Sequence, residues 1–158
     1  MSDKALREQL VDLLQGGDAH ASFDAAVKEF PVEKAGIRPE GMPHSAWELL
    51  EHMRIAQHDI LEFSRSADHV SPAWPEGYWP AAAAPAQDSA WHGAVQSFRD
   101  DRAVFGRLVH DEAQDLYQPF AWGKGQTLLR EALLIADHNA YHLGQLLLVR
   151  QALGQWPK

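Results

Sequence analysis

Apolar residues recur at the i, i+3, i+4 spacing of an amphipathic helix in four segments of this chain, and strict alternation, the mark of a half-buried strand, nowhere outweighs it. The longest segment is Thr127 to Gln151, TLLREALLIADHNAYHLGQLLLVRQ, which contains no proline. Counted at about 100° per residue, Glu131, Leu134, Ile135, His138, His142, Gln145 and Val149 share one stripe of it. Leu129, Leu133, Ala136, Ala140, Leu143 and Leu147 form a second stripe roughly opposite. A helix apolar on two sides buries both, so this one is expected either at the centre of a bundle or between the bundle and another subunit, the subunit contact being favoured.

The other segments precede it. Leu6, Leu10, Leu13 and Leu14 predict a first helix that Gly16-Gly17 interrupts. Asp18 is the expected cap of a continuation through Phe23, Ala26, Val27 and Phe30, ended by Pro31, with His20 in its first turn. A polar, proline-rich linker covers residues 31 to 44. Ser45 and Glu48 then have the spacing of a capping box, and the second helix carries Ala46, Leu49, Leu50, Met53, Gln57 and Ile60 inward. His52 falls on the shoulder of that face, between Leu49 and Ala56, whereas His58 points outward.

The third helix begins near Asp88 or Ser89 and turns Trp91, Ala94, Val95, Phe98, Phe105 and Leu108 to the core. His92 and His110, at or beside its ends, are expected to face solvent. Between the second and third helices lies ADHVSPAWPEGYWPAAAAPAQ, residues 67 to 87. A helix of about 22 residues is roughly 33 Å long, and a loop of about 21 residues can extend to roughly 65 Å. The loop can therefore cross the whole molecule, which allows the second and third helices to run parallel. Trp74, Tyr78 and Trp79 within it suit a pocket wall or a plug at the end of the core. A second loop, residues 111 to 126, returns the chain to the long helix.

Composition narrows the chemistry. The 158 residues are expected to form one domain, residues 1 to 158, and none is cysteine, so histidine and carboxylate are the strong metal ligands present. A net charge of −8 without a basic cluster opposes binding to nucleic acid or an anionic membrane. No stretch approaches the roughly 20 apolar residues of a membrane span, and a cytoplasmic protein is expected.

His138 and His142 lie one helical turn apart and can reach a single point. An ordinary reading of such a pair is core histidines with hydrogen-bond partners. With His52 as a third imidazole the set becomes a site for a divalent ion, with a coordination position left for water or substrate. Imidazole suits Zn, Ni, Fe or Cu(II), and Zn or Ni is expected first, with Fe as an alternative. Glu131 or Gln145 could supply a fourth ligand from the same stripe, and Glu48 or Glu131 an outer hydrogen-bond partner. A di-iron carboxylate site is excluded because no glutamate has a histidine three residues later. HExxH and GxSxG are absent too.

SAWELLEHMRIAQHDILEF together with LREALLIADHNAYHLGQLLLVRQALGQW resembles the DinB/YfiT-like superfamily. The resemblance implies a four-helix bundle, commonly a homodimer, in which one histidine of the second helix and an H-x-x-x-H pair of the fourth hold a divalent ion. Here these are His52, His138 and His142. Some members are similar to S-transferases and isomerases that use low-molecular-weight thiols. Two functions follow as expectations: a metal-dependent enzyme, of thiol S-transferase or hydrolase type, acting on a small molecule, or a non-catalytic, stress-related binding or dimerisation module with a structural metal or small ligand. His20, His44 and the Trp74 to Trp79 loop carry no assignment from sequence.

Overall fold

The computed structural model describes residues 3–156. Its helices are α1 (Lys4–Gln15), α2 (Phe23–Val27), α3 (Ala46–Arg65), α4 (Asp88–His110) and α5 (Leu128–Ala152), with short 3₁₀ turns at Val32–Lys34 and Glu76–Tyr78. The fold is all-helical, and pairing of the β type among the described residues is limited to an isolated bridge between Pro119 and Thr127. No helix is long and apolar enough to cross a membrane.

The capping box is present: the Ser45 hydroxyl accepts from the Glu48 amide and the Glu48 carboxylate accepts from the Ser45 amide, fixing the start of α3. Thr127 caps α5 by accepting from the Arg130 amide. The expected cap at Asp18 is corrected. Gly16 and Gly17 take φ of 67° and 108°, a region glycine enters without steric penalty, and the chain stays irregular until Ser22 accepts from the Ala25 amide. His20 is consequently in an exposed loop rather than a first helical turn. The segment also ends earlier than expected, at Val27, because Glu29 adopts φ of 52° before Pro31 is reached.

Two apolar clusters fill the interior. One joins Leu49, Leu50 and Met53 from the first half of α3 with Trp91, Ala94 and Phe98 from the first half of α4 and Leu143, Leu146 and Val149 from the second half of α5. The other joins Leu61 of α3, Phe105 and Val109 of α4, Ala132 and Ile135 of α5, and Leu10 and Leu14 of α1. Leu13, counted with them in the sequence, is exposed. On α5 the second stripe is split: Ala136 and Leu143 are buried, whereas Leu133 and Ala140 are exposed.

Two buried arginines close helix ends. Arg7 donates to the carbonyl of Val109 in the last turn of α4 and to those of Asp111 and Gln114 beyond its end, and is paired with Asp3. Arg150 donates to the carbonyls of Ala25 and Ala26 at the end of α2. Both satisfy carbonyls that a helix leaves without an internal donor, and place a cation at the negative end of the helix dipole.

Candidate metal centre

α3 and α5 bring His52, His138 and His142 together near the middle of their lengths. His52 is 4% exposed and His142 9%, and His138 is half-buried. One ring nitrogen from each lies within 4.8 Å of the others. His52 Nε2 is 3.1 Å from His142 Nε2 and 3.1 Å from His138 Nε2. The four-residue spacing of the pair and the inward shoulder position of His52 therefore converge as the sequence suggested.

The outward nitrogens decide what the inward ones present. His52 Nδ1 is 2.8 Å from the Tyr78 carbonyl oxygen, and His142 Nδ1 is 2.7 Å from Gln145 Oε1. A carbonyl oxygen only accepts, so both Nδ1 atoms carry the proton and both neutral rings turn a bare lone pair inward at Nε2. Two lone pairs 3.1 Å apart repel unless a cation or a proton lies between them. Two imidazole nitrogens bound about 2.1 Å from one ion stand about 3.0 Å apart at a right angle and about 3.4 Å apart at the tetrahedral angle. The observed spacing lies between these values, and the donor set fits a divalent ion.

Burial also keeps the rings neutral, the form that binds metal. Burial lowers the pKa of His138 to about 4, with His142 and His52 adding to the fall and the Asn139 side chain opposing it. Burial lowers His52 and His142 as well. Trp79 lies flat on His52, ring centroids 3.9 Å apart at 3°, and His44 stacks on its other face at 4.1 Å. The loop tryptophan thus walls the site, while Trp74 is 76% exposed.

Glu131 and Gln145 take other roles than the fourth ligand considered from the stripe. Gln145 bonds the back of His142, and the buried Glu131 pairs with Arg130 and is not part of the cluster. Burial raises the Glu131 pKa. Glu48 is committed to the cap and to Arg38 rather than to His52. His58 faces outward and pairs with Asp101, and His92 and His110 are exposed. His20 is elsewhere, its Nδ1 against the Ala21 carbonyl.

Sequence reasoning missed three contributors. The Tyr78 carbonyl is a backbone atom and has no residue-type signature. Gln57 donates to the Phe98 carbonyl and accepts from Asn139 Nδ2, which fixes both amides; Asn139 Oδ1 is left buried without a partner beside His138. The inward position of Gln57 on α3 and the adjacency of Asn139 to His138 were the available signals.

No curated protein and no solved structure is similar enough to this chain to count as a match. The family model described as DinB superfamily matches residues 15–146, which takes in most of the chain and all three histidines. With the triad converging on one point, the chain belongs to the DinB superfamily.

Proposed function

We propose that this chain is a metal-dependent enzyme in which His52, His138 and His142 hold one divalent ion and a small molecule reacts beside it, a low-molecular-weight thiol in an S-transferase reaction or a hydrolysable substrate. The observation that carries the reading is the 3.1 Å contact between the Nε2 lone pairs of His52 and His142, whose rings are fixed from behind, with His138 Nε2 also 3.1 Å from His52 Nε2. Zn or Ni suits three imidazoles best, and Fe is accommodated. When bound, such an ion supplies a Lewis acid that activates a thiolate or a water. The chain's own part is orientation and exclusion: Tyr78 and Gln145 fix two of the rings, and Trp79 shields His52 from solvent. Among the described residues no fourth histidine or carboxylate joins the triad, which favours an open, reactive site over a closed structural one.

The scaffold in this reading is a single-domain four-helix bundle of α1, α3, α4 and α5. The way the two clusters pair the halves of α3, α4 and α5 supports parallel α3 and α4, joined by a long crossover, with α5 antiparallel to both. The exposed Leu133 and Ala140 on α5 support a homodimer contact there.

Metal content of untagged protein, compared with His138→Ala, tests the site. About one divalent ion per chain is expected in the wild type and none in the variant, and His142→Ala is expected to retain its helicity but lose turnover. Wild-type protein that takes up neither Zn nor Ni would refute the reading.

A further inference from the structure

We infer that the groove between α1 and α4 is a second binding site, for a small organic anion that joins an oxyanion head to an apolar body. The groove has a volume of about 470 Å³, within the range of about 300 to 1,000 Å³ typical of small-molecule sites. Val11 and Leu14 of α1 with Ala103 and Gly106 of α4 give it an apolar lining. Arg99, Arg102, Arg107 and His110 of α4 give it a basic one. None of the three triad histidines lines it, so the site is independent of whether they hold an ion.

The charge of the groove opposes that of the chain. The molecule carries −8 overall, yet among the described residues no carboxylate lines the groove. Helical spacing gathers the arginines: residues 99, 102, 103, 106, 107 and 110 fall on one stripe of α4 at about 100° per residue. The acids between them in sequence are engaged elsewhere, Asp100 with Gln96 and Asp101 with His58. Glu8, one turn before Val11 on α1, is 3.8 Å from Lys4. Asp24 is the carboxylate that does reach these arginines, accepting from Arg99 Nε and from Arg102. One carboxylate thus serves two guanidinium groups, and Arg107 makes no ion pair among the described residues. Three cations against one anion leave an excess of positive charge along the groove.

Geometry divides the groove between a head and a body. Arg102 is held by Asp24 and lies over the rings of Phe23 and Phe98, which makes it a fixed positive wall. Arg99 spends only Nε on Asp24 and keeps its terminal nitrogens as donors, and Arg107 offers its whole guanidinium. Such groups bind a carboxylate or phosphate through paired N–H bonds. Between Arg99 and Arg107 on α4 lie Ala103 and Gly106. Glycine is disfavoured inside a helix, and a Cβ at Gly106 would meet Val11 Cγ1 at 4.0 Å, an ordinary contact. Packing therefore does not require this glycine, and the side chain it lacks leaves the floor open to a ligand. An inorganic anion would leave that floor uncovered, and a hydrocarbon would leave the arginines without a partner. An amphiphilic anion serves both linings.

The test is titration of isotope-labelled protein, as purified, with butanoate, octanoate, octyl phosphate and octanol. Binding is read in NMR from the backbone amides of Ala103 and Gly106, with Gly144 on α5 as control. Octanoate should give a saturable shift and bind about tenfold tighter than butanoate or more, since each added methylene gains up to about fourfold where it is buried. Octanol should bind about tenfold more weakly than octanoate, the loss of a charge-assisted hydrogen bond. Arg107→Ala and Ala103→Glu, both at exposed positions, should each weaken octanoate by about the same factor while leaving the melting temperature unchanged. Whichever of octanoate and octyl phosphate binds tighter assigns the head as carboxylate or phosphate, and either outcome supports the inference. Octanol binding as tightly as octanoate, equal affinities for butanoate and octanoate, or no saturable shift at Gly106 would overturn it. So would a Gly106 shift that follows protein concentration with no anion present, which would give the groove to a second copy of the chain.

Discussion

Acidifying the metal-free protein should destabilise it through His138, and the size of the effect follows from the site. Burial lowers the pKa of His138 from 6.5 to about 4. Between those values the unfolded chain binds a proton that the folded chain refuses. Stability is therefore fully present above pH 6.5, falls as the pH drops through that interval, and loses nothing more from this residue below about pH 4. At about 1.36 kcal/mol per pH unit the full interval is worth about 3.4 kcal/mol. His138 is only half-buried, and solvent screening reduces this to roughly half, or about 1 kcal/mol at pH 5. Urea denaturation of chelator-treated protein, followed by tryptophan fluorescence at pH 7 and pH 5, measures the loss. In His138→Gln the loss over that range should be smaller by about 1 kcal/mol. It should not vanish, because burial also holds His52 and His142 down. An equal loss in both proteins would refute the idea that the fold keeps His138 neutral.

Gln57→Leu should cost about 1 to 3 kcal/mol, because the Asn139 amide it serves stays half-buried without its acceptor; a melting temperature within a degree of wild type would contradict this. Ser45→Ala should cost about 1 kcal/mol or slightly more by thermal denaturation, since it removes the α3 cap and the bond to the Ala83 carbonyl. Chelation of protein kept at a hundred times the metal dissociation constant should remove about 2.7 kcal/mol, a fall of about 5 to 11 °C for a chain of this length, and calorimetry showing no fall would exclude a bound ion.

What the sequence made legible was periodic or local. The 3.6-residue period located α3, α4 and α5, and the Ser45–Glu48 spacing fixed where α3 begins. Convergence of His52 with His138 and His142 followed from face assignments on two helices, because a helix places residues by counting. Where the chain leaves helical geometry, counting fails. Asp18 and Ser22 are both acceptable caps, and the positive φ of two glycines, which local composition does not encode, decided for Ser22. Arg7 and Arg150 are buried, which no local pattern shows, because the carbonyls they bond lie far away in sequence. The stripe rule put Gln145 beside the ion position but could not tell that its oxygen faces the back of His142.

The loop before α4 is the part whose role depends most on contacts the sequence hides. Tyr78 is bonded to α3 at both ends: its carbonyl accepts from His52, and its hydroxyl donates to Asp59, which also takes His69. Burial and the neighbouring Asp59 push the Tyr78 pKa up to about 12, so the hydroxyl stays a donor throughout the physiological range. Asp59 is two turns along α3 from His52, and a docked Tyr78 spans that distance. Docking of the loop and the tautomer of His52 are thus one event. If the Asp59 clamp opens, the Tyr78 carbonyl withdraws, the His52 proton is no longer tied to Nδ1, and the lone pair aimed at His138 and His142 is no longer assured. Trp79 would leave the face of His52 in the same movement. The loop therefore holds one of the three imidazoles in place, although none of its own side chains joins the triad.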